Sequence, residues 1–273
     1  MSNTILFIFE GETIEGQILK SIEKLFLYPS NNGNNIIKIS FCGEIYQLWK
    51  MVEKDPDLEI VEILKEKFNL DKSLARKNVS EVHLFFDHDA HSLKSRPKES
   101  QQEYNDKICS LLETFNNEFE QGKLWISYPM AEALKHIKKN PNDCFKDTGI
   151  AILDYGNYKE FVSKNSDYLN IKEYDHSIWY KLTIINIQRT YCLINDEYKN
   201  NIEYDEIEEW FEENAIIVKM IQEKQYLKFI KEKNEVAALS PFPLFLLYYF
   251  GKPFLTTCKT EEQIKNCSFA CYQ

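Results

Sequence analysis

Glycine and proline are scarce in this chain, eight of each in 273 residues. That excludes collagen-like and low-complexity classes and argues against long flexible linkers. There is no apolar run near the ~20 residues that a membrane-spanning helix needs. The longest, Pro241 to Phe250, is about half that length and reads as a buried helix or strand, or else as a partner-binding surface. Positive charge is in deficit, with 33 Lys and Arg against 43 Asp and Glu and a formal net charge of -10. This excludes a protein that coats nucleic acid through bulk charge. A nuclease stays open, because metal ions and a local basic patch can hold phosphates on an acidic protein. No Gly-x-Ser-x-Gly elbow, P-loop or Gly-x-Gly-x-x-Gly fingerprint occurs, so a nucleophilic serine and nucleotide binding by this chain are not expected.

Cysteines are seven and irregularly spaced, which points to free thiols in a reducing compartment. Cys258, Cys267 and Cys271 near the C-terminus could join a histidine on zinc, but the two-knuckle spacing is absent. Reduced thiols in a small apolar tail are the other reading. The start, Met1-Ser2-Asn3-Thr4, lacks the basic residues and cleavage site of a secretory leader. The expectation is a soluble, cytoplasmic protein with no membrane segment.

What the chain does have is core material: 44% hydrophobic residues, including 18 Phe, 16 Tyr and 4 Trp. Its first half alternates strand-like and helix-like patterns. Strands are expected at 4–9, 36–42, 82–86 and 124–127, and helices at 15–27, 45–52, 58–68, 104–119 (ended by Gly122) and 130–139, the last opened by Pro129. The order βαβαβαβα implies an α/β fold with a parallel sheet flanked by helices. After Pro141 strand-like runs become rare. The stretches 159–169, 177–193, 204–230 and 261–269 read mostly as helices. The expected organisation is a catalytic domain over 1–140 and a mostly helical accessory or partner-binding region over 141–273.

Acidic residues gather where strands end. Glu10-Gly11-Glu12-Thr13-Ile14-Glu15 follows the first apolar run, and Asp87-His88-Asp89 follows the third. In open α/β sheets, ligands bind at the carboxyl ends of the strands. Magnesium takes hard oxygen ligands and few protein carboxylates, so Glu10, Asp87 and Asp89, on separate strand ends that a parallel sheet would bring together, are candidate ligands. Glu12 and Glu15 stand at the mouth or in the first helical turn. There, acids also complement the helix dipole without any metal.

These residues carry a family resemblance. Phe9-Glu10-Gly11-Glu12-Thr13-Ile14-Glu15 resembles the acidic first motif of Toprim domains, closest to the Glu-Gly-Glu-x-Thr-Glu form of RloB-like defence proteins and OLD-type nucleases. Phe85-Phe86-Asp87-His88-Asp89 resembles the Toprim Asp-x-Asp motif, and Ser127-Tyr128-Pro129-Met130-Ala131-Glu132 the RloB-like Asn-Pro-x-x-Glu segment. The likeness spans roughly residues 4–140, with Ile14 and Tyr128 departing from the pattern. Toprim effectors of PARIS systems such as AriB are similar in size. The resemblance implies a Toprim-like fold and a metal-dependent nuclease used as an antiphage effector. Glu10 would be its general acid/base, Asp87 and Asp89 its magnesium (or manganese) ligands, and Glu132 a further acidic contributor. It also implies an ABC- or SMC-type ATPase partner, an RNA (including tRNA) or DNA substrate, and a homodimer as one form of assembly. A non-catalytic Toprim scaffold that binds a partner or blocks a host machine is the alternative.

Other residues read two ways. Lys94 and Arg96 follow the Asp-x-Asp turn and are placed to contact a substrate phosphate, or belong to a solvated loop. His88 and His91 are extra ligands or proton carriers, or face solvent. His136, one turn after Glu132, is a metal partner or packing.

Overall fold

Residues 5–9 are apolar without a break because both faces of their strand are covered. The computed structural model describes residues 4–27, 35–41, 45–55, 59–68, 74, 76–88, 100–137, 149–151, 155–212 and 216–255. Its main sheet contains β1 (Thr4–Phe9), β2 (Asn35–Ser40), β3 (Val79–Asp87), β4 (Asn116–Asn117) and β5 (Gly122–Ser127). They lie in the order β2-β1-β3-β5-β4. All neighbours are parallel except the short β4, which pairs antiparallel with β5. The α/β sheet flanked by helices is therefore present and consistent with a Toprim-like arrangement. Because β2 lies on one side of β1 and β3 on the other, the chain reverses its winding between β1 and β3. Such a reversal leaves a crevice at the carboxyl ends of the two strands.

Strand side chains alternate between faces. Ile5, Phe7, Phe9, Phe85 and Trp125 enter one core. Leu6, Ile8, Val82, Leu84, Phe86 and Leu124 enter the other. The second core is closed by α2 (Ile45–Lys54), α3 (Ile60–Phe68) and α4 (Gln101–Thr114). The first is closed by α1 (Ile14–Ile22) from the N-terminal half. Elements from much later in the chain join it there: α6 (His176–Asn195), α7 (Ile217–Gln225) and α8 (Pro241–Phe250). Between β5 and α6 lies α5 (Tyr155–Asn165), and a small antiparallel pair joins β6 (Gly149–Ala151) to β7 (Glu235–Ala237).

The apolar run Pro241 to Phe250 is a core helix. Phe242 stacks on Phe85 at 4.7 Å between ring centroids, and Phe245 meets Phe7 edge-on at 5.6 Å. Edge and stacked aromatic pairs add about 0.5–1.5 kcal/mol each beyond area burial. Buried polar groups tie the same layers together. The Tyr128 hydroxyl donates to Gln222 Oε1 at 2.8 Å, and Gln222 Nε2 donates to Asn105 Oδ1 at 2.9 Å. The helical region thus shares its core with the sheet.

Three expected elements differ. The helix at 104–119 stops at Thr114, because Asn116 and Asn117 pair with Lys123 and Gly122 instead. Gly122 does not end a helix but opens β5, with a φ of 108° that favours glycine. Among the described residues of 130–137, the expected helix is one 3-10 turn, Ala131–Leu134. Tyr128 is drawn into a bridge with Leu239 by two backbone bonds of 2.9 and 2.8 Å, and Met130 stays extended. The helical reading of 204–230 breaks into 3-10 turns at Tyr204–Glu206 and Glu208–Phe211 before α7. Glu203, Asp205, Glu206, Glu208, Glu209 and Glu212 would set like charges one helical turn apart, which a continuous α-helix disfavours.

A Cβ on Gly122 would lie 2.5 Å from Leu84 Cδ1 and 3.0 Å from Val82 Cγ1. We expect Gly122→Ala to lose roughly 1–3 kcal/mol of stability in urea unfolding, from strain and overpacking. Gly156→Ala, with nothing within 4 Å, should cost nothing and gain up to about 1 kcal/mol in its helix. Equal midpoints for the two variants would refute this account.

Candidate active site

The crevice between the ends of β1 and β3 is where the acidic motifs meet. Glu10 directly follows β1, and its backbone N–H continues the ladder onto Phe85 O at 3.1 Å. Its carboxylate then turns across the switch point, where Oε2 accepts the Asp87 backbone N–H at 2.9 Å. Asp87 is the last residue of β3. Glu132 comes from the 3-10 turn after β5. Three strand ends thus deliver three carboxylates to one cleft of about 730 Å³, whose lining also includes Glu12, Glu15, Lys135 and Lys159.

Glu15 sits in the first turn of α1 and is buried. Its Oε1 reaches back to accept the Gly11 N–H at 3.2 Å. A Cβ on Gly11 would lie 2.9 Å from that oxygen, so the glycine makes room for the carboxylate. Thr13, at the helix start, makes no side-chain cap. Glu15 therefore holds the loop that carries Glu10, a supporting role.

Crowding the carboxylates has an electrostatic consequence. Burial, then the charges of Glu10, Glu15 and Glu132, push the Asp87 carboxyl well above its ordinary range, and a backbone hydrogen bond at Ala131 only partly opposes them. Glu132 is 8% exposed, and its Oε2 is buried with no hydrogen-bond partner. Its Oε1 faces Lys159 Nζ at 3.2 Å. Burial pulls the Lys135 ammonium down, with Glu132 opposing.

The donor set suits a hard divalent ion, since it offers carboxylate oxygens and includes a buried oxygen left unsatisfied. Among the described residues no three such groups already stand together as a ready-made metal cage. Asp89, an expected ligand, lies outside the described residues, as do Lys94, Arg96, His91, Cys258, Cys267 and Cys271. Of the expected site residues, Glu10, Glu12, Glu15, Asp87 and Glu132 all line the cleft.

His88 differs from the solvent-facing reading, and His136 follows the packing one. His88 is 1% exposed, and neither ring nitrogen has a hydrogen-bond partner. It lines a small cavity of about 20 Å³ together with Tyr46 and Tyr104, and with Glu10 and Asp87. Burial pulls its imidazole down to about 3, so it is neutral. His136 Nδ1 meets the Tyr158 hydroxyl at 3.0 Å, and its ring packs edge-on against Tyr158 and Phe161. Sequence reasoning missed Lys135 and Lys159. Lys135 carried a weak signal, three residues after Glu132. Lys159 carried none.

Asp87→Asn should stabilise the metal-free protein at neutral pH, by roughly 1–3 kcal/mol, the scale of removing a buried carboxylate's charge from beside like charges. The sign follows from linkage. Below the ordinary aspartate value of 3.8 the carboxyl is protonated folded and unfolded, and the substitution changes little. Above it the unfolded chain ionises first, so wild-type stability falls as pH rises and the variant gains. Thermal unfolding in EDTA at pH 4 and pH 7 checks this; an advantage that does not grow with pH rules it out.

No protein-family model, curated protein or solved structure matches the chain.

Proposed function

We propose that this chain is a metal-dependent nuclease that cleaves RNA, such as tRNA, or DNA as the toxic effector of an antiphage system, under control of an ABC-type ATPase. The observation that carries the enzymatic part is the convergence of Glu10, Asp87 and Glu132 from three strand ends on one cleft at the switch point. The defence setting, the ATPase partner and a cytoplasmic location come from the Toprim resemblance of the three motifs. No helix among the described residues is long and apolar enough to cross a membrane.

In this reading Glu10, Asp87 and Asp89 hold magnesium or manganese. The bound ion would supply charge stabilisation for the oxygens of a phosphodiester under attack. The chain's own residues do the rest. The Asp87 N–H fixes the Glu10 carboxylate, which then takes or returns a proton at a reacting oxygen. Glu132 adds a further carboxylate that would share the ion. Lys94, Arg96 and Lys135 supply the positive charge that offsets a polyanion's repulsion by an acidic protein. The net charge of -10 favours one rival, a non-catalytic scaffold whose helical region binds a partner.

Incubation with Mg²⁺ and RNA or DNA should give cleavage, with the ATPase added if required. Glu10→Ala and Asp87→Ala should each lower the rate by about 10²-fold or more, the scale for losing one electrostatic or acid/base contributor. If wild type cuts neither polymer even with the partner present, the nuclease reading fails. Growth arrest that survives alanine at both Asp87 and Asp89 would favour the scaffold.

A further inference from the structure

A cation of the protein's own already stands in the acidic cleft. Lys159 lies on α5, outside the motif-bearing half, yet lines the cleft beside Glu10, Glu15, Asp87 and Glu132. Its Nζ is 3.2 Å from Glu132 Oε1. The two partners are unequal: the Lys159 side chain is 68% exposed and that of Glu132 is 11%. The carboxylate is fixed in the wall, and the ammonium reaches it from the water side. Glu132 Oε2, buried without a partner, is left for a second cation to satisfy.

The backbone behind Lys159 is anchored. The preceding residue, Tyr158, is 1% exposed, and its hydroxyl meets His136 Nδ1 at 3.0 Å. Arg189 of α6 donates to the His136 carbonyl at 3.0 Å. The helix carrying Lys159 is therefore pinned to the segment that carries Glu132. The lysine stem is long and solvated, so its ammonium can leave the carboxylate with little loss of packing. Its surroundings show the field it answers to: burial pulls its ammonium down, but Glu132, then Asp87 and Glu15, more than offset this.

We propose that Lys159 is a built-in counter-cation of the cleft, neutralising Glu132 when no metal is bound and setting the affinity for divalent ions by having to be displaced. This rests on the cleft being a cation site, as argued above. No covalent bond changes. Glu132 exchanges an ammonium contact for a share of a divalent ion, and the ammonium returns to water. A unit charge a few ångströms from a divalent ion at a protein surface opposes binding by at least about 1 kcal/mol, so its removal is worth on the order of tenfold in affinity.

The test is a Mn²⁺ titration of the full-length, EDTA-stripped protein, read from the free-ion EPR signal, with unfolding midpoints measured with and without Mn²⁺. Lys159→Met should tighten Mn²⁺ binding on the order of tenfold and enlarge the gain in midpoint on adding Mn²⁺. Lys159→Arg should stay near wild type. Lys135→Met should change affinity less, because Lys159 makes the direct ion pair with Glu132. Unchanged or weaker Mn²⁺ binding by Lys159→Met, while Glu132→Gln weakens it, overturns the role of Lys159 and leaves the cation site standing. If neither wild type nor Lys159→Met binds Mn²⁺, the cation-site reading itself falls, and this proposal with it.

Discussion

Mutual repulsion among carboxylates crowded at one sheet edge is the constraint around which this protein is built. Glu10, Glu15, Asp87 and Glu132 line a single cleft, and three of them raise the fourth, Asp87, beyond the cost of burial alone. A fold whose purpose was only stability would separate them. Here backbone donors hold them in place: the Asp87 N–H on Glu10 and the Gly11 N–H on Glu15. Hydrogen bonding to the charged form offsets part of the repulsion but does not neutralise it. The remaining negative charge stays on the wall of the cleft.

The sheet supplies the rigidity that this crowding demands. β1 is buried along its whole length, and the ends of β1 and β3 cannot shift apart without disturbing two cores at once. The later helices are part of the same arrangement. α8 places Phe242 and Phe245 against Phe7 and Phe85, directly beneath the strands that deliver Glu10 and Asp87. α5 brings Lys159 to Glu132. The region beyond the three motifs thus supports the strands that carry the site and also contributes to its wall.

The residues that misled the sequence reading did so for local reasons. Pro129 is a good helix opener, but the bridge between Tyr128 and Leu239 claims the backbone just before it, and only a 3-10 turn follows. The predicted helix at 104–119 overran because Gly122 reads as its stop, whereas Asn116 and Asn117 already pair with the start of β5. His88 was legible in principle. Continuing the two-residue alternation of Val82 to Phe86 places Asp87 with Phe85 and His88 with Phe86, on opposite faces. Reading Asp87-His88-Asp89 as a turn hid that.

Sequence alone determined the alternation of strands and helices, the apolar strands buried on two faces, and the acids at strand ends, because side-chain periodicity and abrupt polar stops are local properties of the chain. It also singled out Glu10, Asp87 and Glu132. Only the tertiary structure decided that β1 and β3 are neighbours across a reversal of winding, since strand order depends on which helices cover which face and no single segment encodes it. The same holds for Lys159. Its place beside Glu132, 27 residues earlier in the chain, is set by the packing of α5 through Tyr158 and His136, a long-range contact with no local trace.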